Sequence, residues 1–498
     1  MYSEHQVAYF LRELADPEAG PGRREAAVKG LGRIGRPEHS AHLVRATRDP
    51  EPAVRAAAAQ ALGRIGDRDA GAQTLPALMA DEDPIVRRRA SRAAIRLALD
   101  GEAATEAFRQ LLRDPDHHLR INALEALRTL GTPGDIPALV RLLGDPDPAV
   151  WGRADGLVRK HKRDPAVEAE VVRAAREGTG PARARALDML PARCNARLHD
   201  SLLDALRDEC PQVRIAAARR LARTGEDSAA DALATALADE RDPEAAGWLL
   251  NLLGRLGDRR VTGLAARWLH HAEAGPAAAH ALGAVDTPEA AARLRAVLDD
   301  RTLSGPTRAA AAMAVGESGA RHAVWLLLPL LDDADPALRA GAMEGLSALV
   351  RGGLRPWERP AVVRSLVTHL SSVPDNVWRT RNVLAHLPQA LPAVRDLADR
   401  TPSTEVRAAA LSLLDPRAPG DRNAREDVRR LLDGLEDPHE SVRYQAALGL
   451  KRWVKASGTP PPESAGVRER LLTFTTEGSP RLQQAAAGLL EALAEVGR

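Results

Sequence analysis

Apolar residues in this chain recur at helical spacing. After Asp83-Pro84, the residues Val86, Ala90, Ala93, Ala94 and Leu97 fall on one stripe at about 100° per residue, with arginines between them. That pattern predicts an amphipathic helix, and its setting repeats. Asp49-Pro-Glu-Pro-Ala-Val-Arg55 runs through alanines into Leu62-Gly-Arg-Ile-Gly66, and echoes begin at Asp145, Asp208 and Asp437. Aligned on the arginine, copies fall at 24, 55, 87, 120, 151, 183, 214, 246, 275, 308 and 339, spaced by 29 to 33 residues. Less even copies near 379, 407, 443 and 483 make fifteen.

Each period reads as a helical hairpin. In the second, residues His39–Thr47 are expected to form a first helix and Asp49-Pro-Glu-Pro a turn. Pro52 then suits the first turn of the second helix, where its missing N–H costs nothing. The turn aspartate can accept hydrogen bonds from free N–H groups there, worth roughly 1 kcal/mol. Gly63 or Gly66 lets the chain leave. One hairpin cannot bury its stripe alone, so stacked neighbours must supply the core. The expected fold is all-α, an α-solenoid of about fifteen hairpins, curved or superhelical. The 95 alanines and only 13 aromatics among 498 residues fit closely packed helices and argue against a sandwich or barrel. Residues 1–350 form the regular array and 351–498 a less regular continuation, with longer connections at 351–360, 415–425 and 455–466. These connections suggest a bend or hinge near 351–360, but ordinary loop drift is the favoured reading, with 351 as the expected subdivision.

The pattern resembles the HEAT-repeat family, in particular the short bacterial HEAT-like repeats also found in phycobilin lyases. The resemblance covers essentially the whole chain and is specific for fold, nearly silent on function. It implies a ladder in which turn acids (Asp49, Asp114, Asp145, Asp208, Asp333, Asp437) meet helix arginines (Arg55, Arg87, Arg120, Arg214, Arg339, Arg443) between neighbouring repeats. Trp151, Ala246, Gly275 and Gln483 stand where the ladder wants arginine. It also implies that second helices line a concave face.

Charge changes the picture only when it is resolved along that face. The totals, 70 basic against 68 acidic residues, nearly cancel. With only five lysines among the bases, abundant arginine reflects a GC-rich genome more than nucleic-acid binding. Positions one, five and nine after the ladder residue lie opposite the buried stripe. In the first three repeats they supply Lys29, Arg33, Arg64, Arg88, Arg92 and Arg96 against Glu25 alone. In repeats ten and eleven the same positions carry Glu317 and Glu344 and no base. Arg159-Lys-His-Lys-Arg163 adds a second basic cluster. The gradient points to a site for an acidic partner or phosphate in the N-terminal half.

Catalytic chemistry is sparse. Trp151 and Asp155 stand one turn apart, similar to a pair in alkylpurine DNA glycosylases built from such repeats, where an aromatic platform and a carboxylate face an extruded cationic base. The second tryptophan expected two repeats on is missing, so a tryptophan filling a ladder gap is the favoured reading. His117-His118 and His270-His271 lack carboxylates at ligand spacing and read as surface or helix-end histidines. Cys194 and Cys210 lack partners for a zinc site. No phosphate loop or nucleophile elbow occurs, and no cofactor or metal is expected. The remaining tryptophans, at 248, 268, 325, 357, 378 and 453, are expected in the core or between repeats.

The longest apolar run, Ala323–Leu331, is far short of a membrane span, and the first residues do not read as a signal peptide, so a cytoplasmic protein is expected. The expected function is that of a non-catalytic scaffold or adaptor, binding a protein with an acidic surface or another macromolecule. The alternative is a nucleic-acid-binding solenoid, in its sharper form a glycosylase using Trp151 and Asp155.

Overall fold

The computed structural model describes residues 2–190, 196–223, 227–372, 376–414, 423–461 and 464–496. Among these, helices and turns account for all regular structure, with no strand. The chain divides into two compact units, Met1–Ala236 and Leu237–Arg498. The first unit opens with α1 (Tyr2–Ala15), α2 (Pro21–Ile34), α3 (Ser40–Ala46), α4 (Pro52–Ile65) and α5 (Arg68–Leu78). It continues with α6 (Pro84–Arg96), α7 (Glu102–Leu111), α8 (His117–Leu130), α9 (Ile136–Arg141) and α10 (Pro148–Lys160). Then come α11 (Pro165–Glu177), α12 (Gly180–Met189), α13 (Ala196–Ala205) and α14 (Pro211–Leu221), and α15 (Asp227–Asp239) runs across the boundary at 236 and 237.

The second repeat forms the expected hairpin, except that Asp49 accepts the N–H of Glu51 within the turn and no side chain caps α4. Its first helix, α3, is followed by a turn, and α4 begins at Pro52. Gly66 closes α4 with φ of +84°, a left-handed conformation that costs glycine nothing. Asp83 caps α6 by accepting the N–H groups of Ile85 and Val86, and Asp116, Asp147 and Asp164 cap their helices in the same way. The predicted stripe of α6, Val86 to Leu97, is buried throughout. First helices α1, α3, α5 and α7 pack in series, and second helices α2, α4, α6, α8 and α10 form the other layer. Small residues bring that second layer close together. A Cβ on Gly63 of α4 would fall 2.8 Å from the Ala93 Cβ of α6.

The ladder is present, and each arginine works in two directions. Arg24, Arg55, Arg87 and Arg120 reach forward to Asp49, Asp81, Asp114 and Asp145 at 2.7–2.8 Å. Arg55, Arg87 and Arg120 also donate backward through Nη1 to two carbonyls of their own turn, as Arg55 does to Asp49 and Pro50. Each guanidinium therefore ties one turn to the next. Arg24, as the partner of Asp49, and Asp81, as the partner of Arg55, extend this ladder beyond the residues that the resemblance implies.

After α10 the stacking changes. α12 packs on the 3-10 turn Leu142–Gly144, and Gly144 approaches Ala182 so closely that a Cβ there would sit 2.9 Å away. The ladder resumes with Arg183 on Asp208 at 2.6 Å.

The second unit holds α16 (Pro243–Arg255), α17 (Val261–Leu264), α18 (Gly275–Gly283), α19 (Pro288–Asp299) and α20 (Gly305–Glu317). Next are α21 (Ala323–Leu327), α22 (Pro336–Gly352), α23 (Arg359–Ser372), α24 (Val377–Leu384) and α25 (Leu391–Arg400). It ends with α26 (Thr404–Leu413), α27 (Ala424–Gly434), α28 (Glu440–Ser457), α29 (Ser464–Glu477) and α30 (Pro480–Val496). The even-numbered helices again pack in series. Residues 351–360 join α22 to α23 inside this unit. Much of the 415–425 connection, and Cys194, lie outside the described residues.

Candidate functional site

The predicted basic positions separate into three groups. Arg64 of α4 and Arg92 and Arg96 of α6 line one hollow of about 440 Å³, together with Gln60, Asn122 and Glu125. Arg89, two residues after the ladder position, joins them. All four arginines are exposed, and among the described residues none of them is in an ion pair. The single acid of the lining, Glu125, is held by Arg128 at 3.3 Å. The hollow is therefore a pocket of uncompensated positive charge.

Lys29 and Arg33 lie exposed on α2, outside that lining, and Lys29 pairs with Glu25 at 2.5 Å. Arg88 is turned away. Its guanidinium binds Asp116, the cap of α8, at 2.5 Å, and it is half-buried. Burial would raise the Asp116 carboxyl, but Arg88 and the His118 N–H outweigh that and hold it below its ordinary value. The first position after the ladder thus faces the neighbouring hairpin, and in α4 it is the buried Ala56. Arg89 is the residue that a strict one-five-nine rule misses, because the open face is wider than a single row.

Trp151 occupies the ladder gap, half-buried on α10, with the Arg185 guanidinium 4.0 Å above its ring. Arg185 also donates to the Leu143 carbonyl. Burial pushes this guanidinium below its ordinary value, and Asp155 offsets part of the shift. Asp155 itself is held by Arg159 at 2.7 Å. A face of the tryptophan that could cradle a cationic base is already covered by a cation of the chain.

Two further expectations change. Asp116 brings a carboxylate beside His117 and His118, and the three offer ligand atoms within 4.8 Å of one another. Both Asp116 oxygens are engaged, one by the His118 N–H and one by Arg88, and the trio sits at the positive end of α8. The tryptophans also divide. Trp268 is buried, but Trp248, Trp325, Trp357 and Trp378 are exposed, with Trp357 at 66%. Trp378 follows the buried Val377 just as Arg55 follows Val54, so the ladder position of this repeat is 378 and not 379.

A family profile for HEAT repeats matches residues 8–96, 71–154 and 172–253. HEAT repeats are thus shown across residues 8–253. No curated protein matches the sequence. Among solved structures, the HEAT-repeat chain is similar to importin beta, crystallised from polyethylene glycol, with a TM-score of 0.57 at 14% identity, over 99% of this chain and 83% of that one. Kap95p in its complex with RanGDP gives 0.57 at 13% identity, over 99% and 77%. Kap121p gives 0.52 at 12% identity, over 99% and 66%. At such identities the likeness is one of fold. Among the described residues no helix is long and apolar enough to cross a membrane.

Proposed function

We propose that this HEAT-repeat protein is a non-catalytic scaffold that binds a macromolecular partner, a protein with an acidic surface, through the layer of second helices in its first unit. The observation that carries this reading is the hollow in which Arg64, Arg89, Arg92 and Arg96 converge without acidic compensation. Neighbouring helices in such a layer stand about 8–10 Å apart, so these charges act together within a Debye length. Importin-type structures of the same fold include one solved with a bound protein, RanGDP, which makes a protein-binding role a natural use of the architecture.

The test is capture from native lysate with and without nuclease, comparing wild type with Arg64→Glu/Arg92→Glu/Arg96→Glu. These side chains are exposed, so the melting temperature should stay within a few degrees. Partner capture should weaken, and more at low salt than at high salt. Undiminished capture at low salt removes the hollow from the function. Capture that nuclease abolishes favours the nucleic-acid reading. Its sharper form, base excision by Trp151 and Asp155, predicts release of alkylated purine from DNA, lost in Asp155→Asn. No release above a no-enzyme control is expected, given the Arg185 stack.

A further inference from the structure

We propose that the opening between α10 and α12 is a separate binding site for a small oligophosphate, an anion carrying two or three linked phosphates. Elsewhere in the first unit second helices pack neighbour on neighbour, but α12 seats on Leu142–Gly144, and a hollow of about 440 Å³ remains beside it. Its apolar floor includes Val158, Val167, Val171 and Leu190, all buried. Its rim is cationic. Arg159, Lys162 and Arg163 come from the end of α10 and the turn beyond, and Arg223 comes just after α14, some sixty residues later, with Arg220 buried beneath it in the lining. The sequence shows only the first of these clusters, and the fold brings the second to it.

The charges do not cancel. The two acids of the lining are Asp188 and Glu168, and Asp188 already takes Arg219 at 2.7 Å. Arg159 is occupied by Asp155. Lys162, Arg163 and Arg223 are exposed and, among the described residues, make no ion pair, leaving three cations over one uncommitted carboxylate, Glu168. One phosphate carries at most two charges at neutral pH, so this excess suits a linked pair or triplet. Guanidinium forks match the oxygens of phosphate, and the lysine adds a point charge. A hollow floored by buried valines receives a compact anion end-on, unlike the arginine hollow of α4 and α6.

The test is calorimetric titration of the full chain with inorganic tripolyphosphate. Saturable one-to-one binding that weakens with salt is expected, with orthophosphate about tenfold weaker. Lys162→Ala/Arg163→Ala/Arg223→Ala should lose about tenfold or more in affinity, and Lys162→Gln alone about threefold, should the triple variant fold poorly. The Arg64/Arg92/Arg96 variant should bind tripolyphosphate like wild type. The proposal fails if no saturable heat appears, if Lys162→Gln and the triple variant bind unchanged, or if the Arg64/Arg92/Arg96 variant loses as much. Tighter binding of single-stranded oligodeoxythymidylate through the same three residues would overturn it in favour of a nucleic-acid strand.

Discussion

The first four ladder arginines and two counterparts in the second unit, Arg308 and Arg443, use the same residue type to different ends, although Arg407 of that unit still pairs forward with Asp437. Arg24, Arg55, Arg87 and Arg120 each meet a carboxylate of the next turn at 2.7–2.8 Å. In the second unit, Arg308 spends its guanidinium on the Leu298 carbonyl and comes only within 3.7 Å of Asp333. Arg443 keeps the carbonyls of its own turn but faces the Phe474 ring at 5.6 Å. The backward half of the device survives everywhere it is seen, while the forward half varies. Closing a turn is local chemistry that the Asp-Pro motif secures by itself, whereas joining two hairpins depends on where the next turn arrives.

The comparison can be broken most directly at Arg120. Its partner Asp145 is nearly fully buried, so Arg120→Ala leaves a charge without compensation and should cost about 3–5 kcal/mol. Arg308→Ala removes bonds to a neutral carbonyl and leaves Asp333 partly in water, so about 1–2 kcal/mol is expected. Hydrogen exchange on the full chain, read in peptides from α8 and α20, separates the two losses. Equal losses would mean that the forward ion pair is not what distinguishes these regions.

Much of this was legible in the sequence, because each repeat states its local chemistry in consecutive residues. The turn, the proline start of α4 and the buried stripe of α6 follow from spacing, and most of the ladder residues from the resemblance to HEAT repeats. Contacts between hairpins were less legible. Arg88 and Arg92 share a predicted row, yet Arg88 reaches Asp116 in the next turn and Arg92 opens onto the hollow. The convergence of Arg163 with Arg223, and the cover that Arg185 gives Trp151, depend on how α12 seats, which no local pattern encodes. The exposed tryptophans fail for a related reason. A large apolar residue predicts burial only when its register is known, and the ladder position of this repeat falls at Trp378, one residue before the 379 that the sequence alignment gives.

The Trp151 gap offers the next smaller perturbation. Its ring is half-buried and its main partner is Arg185, so Trp151→Ala should cost about 2 kcal/mol, below the 3–5 kcal/mol typical of a fully buried tryptophan. Asp155→Asn should have a lesser effect on thermal unfolding, since its pair with Arg159 is an exposed neighbour on the same helix. The reverse ranking would mark Asp155, and not the stack, as the residue that holds α10 and α12 at their spacing.

Acid should sharpen the contrast with the gentlest effect of all, because the two units hold different titrating groups. In the second unit, His369 of α23 is 2% exposed, and among the described residues neither ring nitrogen has a hydrogen-bond partner. Burial pushes its pKa below the ordinary 6.5, Asp332 at 3.9 Å pulls it partly back, and Arg339 adds to the depression. The unfolded chain therefore takes up this proton at a higher pH than the folded chain. Stability from the neutral histidine is complete above about 6.5 and is lost as the pH falls below it. In the first unit the relevant groups are Asp49 and Asp81. Burial alone would raise both, but the hydrogen bonds from Arg24 and Arg55, with backbone N–H groups, hold them below the ordinary 3.8. Their folded forms resist protonation, so their contribution persists down to about 3.8 and fades only at lower pH. Between pH 7 and 5, exchange protection corrected for intrinsic rates should fall in α23 and its neighbours and hold in α4 and α6. His369→Leu should remove the fall in α23. If protection falls equally in both units over that range, or if the variant behaves like wild type, the buried histidine is not the group that makes the second unit the more acid-sensitive.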